Sequence, residues 1–587
     1  MSKPHPRTER LPVPETPAEE ASRIALERVY AALAEGRSFR LEAGAGAGKT
    51  YSLIKALEYL IGKHRREMPR RGQQIACITY TNVARDEIEA RIDRHPIIYC
   101  DTNHGFCWSL IGGFQRQLRE LVAAMPVWQE RLEEAGGIGN RTIDYSLGHR
   151  SVRDTAISLG HDDVLPLTIS LMEQPKFRRL IAQRFPVILI DEYQDTDAAW
   201  VEAIKQHFLG VEGSPLFGFF GDHWQKVYGT GCGELAHEAV EEIGKGANFR
   251  SVQPVVDVLN MMRPALPQFV EKPELPGEAR VFLTNGWAGQ RRTEAHWRGD
   301  LPAEVASQAL EMTRAQLEAD GWTITPQHTK ILMLTHRVLA TEQGYASLPG
   351  VFRFNDAFTN KENPYISFFV DVLEPACDAY VARQFGRMFE ALGGSVPHLR
   401  RPADKAGWAN AMAALVAIRA TGTVGDVIDH LAATRRPRLP DVISDREREL
   451  AAFDRDAGEQ MPALLAEIEN LRAISYSEIQ ALRRYLDGSS PFETKHGVKG
   501  AEFENVLVIV GRGWNMYNFN EMLELASAPA IPAGRRGAYE RNRNLFYVAC
   551  SRPKRRLAVL FTQLVSDAAQ GTLTAWFGID NIETLPL

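Results

Sequence analysis

Apolar residues recur along this chain in short, uninterrupted runs. SFRLEA (38–43), QIACITYT (74–81), PVILIDE (186–192) and LFGFFGD (216–222) form one set. ARVFLT (279–284), TKILMLTH (329–336), ENVLVIVG (504–511) and RRLAVLFT (555–562) form a second. Runs of this length, bounded by turn residues and lacking strict alternation, predict strands of a parallel sheet covered on both faces. Between the runs the apolar spacing becomes helical, as in FQRQLRELVAAM and ALLAEIENLRAISYSEIQALRRYL. The pattern predicts an α/β protein with two lobes, each with a largely helical insertion. The first lobe is expected over 21–94 and 185–265 with its insertion over 95–184, and the second over 266–354 and 486–587 with its insertion over 355–485. Residues 1–20 hold five prolines and no apolar core, and read as a flexible arm.

Composition narrows the class. The chain has 587 residues, 44% hydrophobic and 24% charged, enough for several packed units. A net charge of −6 supplies no global field for nucleic acid, which leaves a local basic cleft as the route to such a partner. The six cysteines form no C-x-x-C pair, and no apolar run reaches the roughly 18 residues of a membrane span. These features predict a reduced, cytoplasmic setting with no membrane partner.

The candidate chemistry begins at AGAGAGKT (43–50), a phosphate-binding loop with Ala43 where the strict pattern has glycine. The backbone of Gly44, Ala45, Gly46, Ala47 and Gly48 is expected to line the phosphates. Lys49 neutralises the β- and γ-groups, and the Thr50 hydroxyl ligates Mg²⁺. PVILIDEYQD (186–195) ends a strand in two acids: Asp191 for the metal and Glu192 for the attacking water. The pair of motifs predicts a nucleoside triphosphatase.

Further strings carry a resemblance. DEYQDT (191–196), ITYTNVARDEI (78–88), DTNHGFCWSLI (101–111), GDHWQKVYG (221–229), NFRS (248–251), TKHGVKGAEFENV (494–506) and RNLFYVACSRPKRRL (543–557) follow one another in a fixed order. Together with the phosphate loop they resemble the motifs of the UvrD/Rep-like superfamily 1 helicases. The resemblance implies two RecA-like lobes, ATP and Mg²⁺ as cofactors, and a DNA helicase or translocase moving 3′→5′ on single-stranded or tailed duplex DNA, in DNA repair or anti-phage defence. It implies that Gln225 senses the γ-phosphate and that Arg250 and Arg552 reach it from the second lobe. Phe249 is implied to stack on the base and Glu502 to meet the ribose. Tyr80, Thr81, Asn82, Thr102, His104, Phe106, Tyr228, Thr494 and His496 fall at the family's DNA positions.

The sequence departs from the family in four places. TPAEEASRIALERV (16–29) lacks the adenine-reading glutamine, and Tyr51 replaces a common arginine and is expected to sandwich the base with Phe249. Thr230 and Gly231 replace a Trp-Arg pair, and both insertions are short for the family. Compact relatives occur in anti-phage systems of the Gabija type. That precedent implies an alternative: a DNA- or nucleotide-sensing ATPase subunit that regulates a partner nuclease.

Overall fold

The computed structural model describes residues 15–145, 150–226, 229–294, 297–334, 344–352, 356–359, 361–393, 401–454, 460–487, 492–494, 502–512 and 517–587. The chain forms two compact units. One comprises Met1–Ala279, Glu521–Leu557 and Asp567–Asn581; the other comprises Arg280–Asn520, Ala558–Ser566 and Ile582–Leu587.

The first unit is built on six strands: β1 (Ser38–Ala43), β2 (Ile75–Thr79), β3 (Ile98–Thr102), β4 (Val187–Asp191), β5 (Leu216–Gly221) and β6 (Val240–Lys245). Their order is β3-β2-β4-β5-β1-β6, and every pairing is parallel. Side chains alternate between two cores. Ile188, Ile190, Phe217 and Phe219 pack with the insertion helices, whereas Leu189 and Phe220 pack on the opposite face with Phe39 and Leu57. Burial on both faces explains why these strands read as continuous apolar runs. The two edge strands, IYCDT and VEEIGK, carry polar residues and give no such signal. The insertion is mostly helical but includes a small sheet of Thr142–Asp144, Ser151–Val152 and Ala156–Ser158. The first helix, α1 (Pro17–Glu35), begins inside the proline-rich stretch. Pro17 opens it without loss of a bond, and Thr16 and Glu19 cap each other's backbone at 3.3 and 2.8 Å.

The second unit carries a further sheet. Its strands are β7 (Glu278–Leu283), β8 (Thr329–Met333), β9 (Phe492–Thr494), β10 (Phe503–Val510), β11 (Pro553–Phe561) and β12 (Ile582–Thr584), in the order β9-β8-β10-β11-β7-β12. β8 pairs in parallel with both β9 and β10. Between β8 and β9 lies a helical region whose buried Glu374 and Arg419 side chains form a charged pair at 2.5 Å.

In an open parallel sheet, ligands gather beyond the carboxyl ends of the strands. In the first unit those ends lead into residues 44–50, 80–82, 103–106, 192, 222–225 and 246–250. The fold thereby gathers the phosphate loop, Tyr80, His104, Glu192, Gln225 and Phe249 on one rim.

Candidate functional site

β1 runs into the phosphate loop, and helix α2 (Lys49–His64) starts directly after it. Gly46 has φ +75°, and a Cβ there would lie 2.7 Å from the Asn248 side-chain oxygen and 2.8 Å from Arg250 Cβ. Only glycine fits this backbone at this approach. The loop is fastened from outside. Asn248 Nδ2 and Gln268 Nε2 donate to the Ala45 carbonyl at 3.1 and 3.0 Å, and the Phe249 amide donates to Gly46 O at 2.9 Å. Asn248 also caps the turn behind it by accepting from the Arg250 and Ser251 amides. The loop is therefore held in shape by the NFRS segment. Tyr51 and Phe249, 52% and 39% exposed, keep ring faces open beside it.

Strand β4 delivers the two acids differently. Asp191 ends the strand and is buried, whereas Glu192 follows in the left-handed region at φ +48°. A side chain rarely adopts that conformation, and such strain concentrates at functional positions. Here it turns the Glu192 carboxylate onto Lys49 Nζ, 3.1 Å away. Burial works to lower the Lys49 ammonium, but the Glu192, Asp222 and Asp191 carboxylates outweigh it and hold the group above its ordinary value. The Thr50 hydroxyl and the Asp191 carboxylate offer the hard oxygen donors that suit Mg²⁺. Asp191 exerts an electrostatic effect on Lys49, consistent with a shared site.

Gln225 follows β5 in a short turn. Asp222 Oδ2 accepts from its Nε2 at 2.8 Å, which leaves Oε1 facing Arg552 NH2 at 3.5 Å. Helix α3 (Ala533–Cys550) brings Arg552 there: Asn544 donates to His223 O at 3.0 Å, and Tyr547 meets Trp224 edge-on. Arg250 donates to Ser551 O at 3.1 Å, and Ser251 to Pro553 O at 2.7 Å. Arg250 and Arg552 both fall in the compact unit that holds Lys49, and Arg552 stands directly before β11, a strand of the further sheet.

Behind Gln225 lies a buried ion network that sequence reasoning missed. Glu42 accepts from Arg263 at 2.9 Å, from Tyr193 OH at 2.6 Å and from the His223 amide at 3.0 Å, and lies 2.6 Å from His223 Nδ1. Arg263 also donates to Asp222 at 2.7 Å. Burial acts to raise the Glu42 carboxyl, yet His223, Arg263 and Tyr193 hold it well below the carboxylate range. Glu42, Asp222 and His223 lie close enough together to bind a metal, but these bonds make them an internal ion network instead. The signal was available: an arginine and a glutamate inside the apolar run SFRLEA must be paired if the strand is buried.

The DNA-side positions divide. Tyr80 follows β2 and is 42% exposed. Thr81 and Thr102 are helix N-caps, accepting from the Ala84 and Gly105 amides at 3.2 Å each, and Asn82 opens the helix after Thr81. His104 stacks on His161 of the insertion at 3.5 Å between ring centres; burial, then the His161 charge, lower it to about 4. Phe106 is corrected: it is 1% exposed and packs on Phe185 and Tyr99, so it offers no face to a base. Glu502 is exposed in the second unit. Thr494 lies in β9, and its side chain, like Tyr228 and His496, lies outside the described residues.

Residues 27–132 and 113–231 match the family model of the UvrD/REP helicase N-terminal domain. This part of the chain is similar to the UvrD/REP helicase N-terminal domain. The match covers the second half of α1, the phosphate loop, the DEYQDT turn and Gln225. The chain is also 22% identical to the Gabija protein GajB of Bacillus cereus (strain HuB5-5), over 94% of its own length and 97% of that protein. It is 26% identical to the ATP-dependent DNA helicase UvrD1 of Mycobacterium leprae (strain TN), over 29% of this chain and 28% of that one. With the ATP-dependent DNA helicase PcrA of Staphylococcus aureus (strain Mu50 / ATCC 700699) it shares 22% identity over 37% of each. The matched part thus carries the acidic strand end and the lysine. Among the described residues of the chain, the cysteines are free thiols and no helix is long and apolar enough to cross a membrane.

Proposed function

We propose that the chain is an ATP-dependent motor that moves 3′→5′ on single-stranded DNA. One observation carries the reading: Lys49 and Glu192, on the loops after β1 and β4, share a rim with Gln225 and the enclosed Arg552. Thr50 and Asp191 would hold Mg²⁺ there, and the ion would supply charge neutralisation for the β- and γ-phosphates of ATP. Lys49 then exchanges Glu192 for phosphate oxygen. The released carboxylate orients the attacking water and takes its proton. Gln225, its amide direction fixed by Asp222, reports the γ-phosphate to Arg552, whose delocalised charge suits an equatorial phosphoryl oxygen. Tyr80, Thr102 and His104 grip DNA on the same rim, so a change at the phosphate reaches the strand through β2, β3 and β4. The test is hydrolysis with and without single-stranded DNA, in the parent and in Lys49→Ala. DNA-stimulated turnover that vanishes in the variant supports the reading, and equal rates in the two proteins overturn it.

A second reading concerns biological setting. Similarity to the Gabija protein GajB over nearly the whole of both chains favours a role in anti-phage defence beside a nuclease partner. Co-purification of a nuclease with the tagged chain from its native operon would support it.

A further inference from the structure

Lys245 ends the edge strand β6, and its residue is fully buried. Along that strand Ile243 and Lys245 are the two buried positions, so the lysine occupies a site that the alternation reserves for an apolar side chain. Its ammonium donates to Ser52 Oγ at 2.8 Å and to the Gly48 carbonyl at 3.3 Å. Among the described residues, no carboxylate lies within ion-pairing distance of it. Burial alone lowers the group to about 8, with no carboxylate to oppose the shift. An ammonium has three N–H donors, and two are used.

The surroundings indicate what the third serves. Lys245 Nζ lies 5.8 Å from the centre of the Tyr51 ring and 5.9 Å from that of Phe249. Those two rings are exposed, and the lysine between them is not. A buried charge with no carboxylate partner is costly, and its two hydrogen bonds go to Gly48 and Ser52 at the end of the phosphate loop. A methionine would fill the space at lower cost. Two exposed aromatic rings and a buried donor thus lie together beside the phosphate loop.

We propose that Lys245 reads the nucleotide: its ammonium donates to an acceptor atom on the edge of the base held between Tyr51 and Phe249. The inference rests on the reading of this rim as a nucleotide site and adds the residue that inspects the base. It supplies a donor where the sequence lacks the glutamine common in the family.

The test is isothermal titration of the full chain with ADP and with 1-deaza-, 3-deaza- and 7-deaza-ADP, each lacking one ring acceptor. Lys245→Met should bind ADP about 10- to 100-fold more weakly, the worth of a hydrogen bond to a charged group. The parent should lose a similar factor for one analogue, and the variant should bind that analogue and ADP alike. Without ligand, the variant should melt no lower than the parent, since it buries no charge. Equal ADP affinity in parent and variant would overturn the assignment. So would a loss of the same size for ADP and all three analogues, which would place the amine on ribose or phosphate. A parent that binds no ADP would instead overturn the nucleotide-site reading itself.

Discussion

The guanidinium of Arg552 lies 3.5 Å from the side-chain oxygen of Gln225, across a sequence separation of 327 residues, and is 1% exposed. An arginine so enclosed, beside an amide on the rim of the phosphate loop, is held by packing rather than free at the surface.

Arg552→Lys keeps the charge but loses the planar fork. It should lower turnover by about 10³-fold, the scale of an arginine finger, with nucleotide affinity within a few-fold of the parent. Single-turnover hydrolysis and titration with ADP separate the two. An unchanged single-turnover rate would remove Arg552 from the chemistry.

Glu192 combines a catalytic assignment with backbone strain. Glu192→Gln should reduce hydrolysis about 10²- to 10⁴-fold while ATP still binds. Glu192→Gly should be as inactive yet more stable than Glu192→Ala by about 1 kcal/mol, because both lose the Lys49 pair and only glycine accepts φ +48° freely. Thermal melts beside rate measurements check both, and a Glu192→Gly protein that melts no higher than Glu192→Ala would show that no strain is stored there.

The network at Glu42 predicts a pH signature. A carboxyl held low in the folded chain stabilises it fully above the unfolded value of about 4.3, and this contribution fades as pH falls toward the folded value. Glu42→Gln should cost about 3–5 kcal/mol near neutrality, because Arg263 loses a buried partner. The gap between parent and variant should narrow below about pH 4. Denaturant titrations across that range measure it, and a gap independent of pH would contradict the assignment.

Tyr80 and Phe106 should part company. Tyr80→Ala should weaken single-stranded DNA binding by about 1–3 kcal/mol without lowering the melting temperature. Phe106→Ala should cost about 3–5 kcal/mol of stability, because the ring fills a core with Phe185 and Tyr99. Fluorescence anisotropy with labelled DNA, paired with thermal melts, distinguishes them.

Legibility in the sequence followed burial. SFRLEA, VILID and LFGFFG are covered on both faces and announced their strands almost to the residue. Edge strands Ile98–Thr102 and Val240–Lys245 face fewer neighbours, tolerate polar residues and left no pattern. In the candidate site, motif spacing picked out Lys49, Asp191 and Glu192 as candidates, because phosphate and metal chemistry restricts residue type, and the family resemblance added Gln225. Glu42, Arg263 and Lys245 escaped because a long-range ion pair or a buried amine depends on which segments meet, and spacing within one segment does not encode that. Phe106 was misread for the opposite reason: an aromatic inside a motif looks the same whether its ring faces solvent or core.

The most direct test is translocation on single-stranded DNA carrying streptavidin at one end. With ATP and Mg²⁺, the chain should displace streptavidin from the 5′ end faster than from the 3′ end, and Lys49→Ala should displace neither. ATP-independent release, or faster release from the 3′ end, would contradict the account.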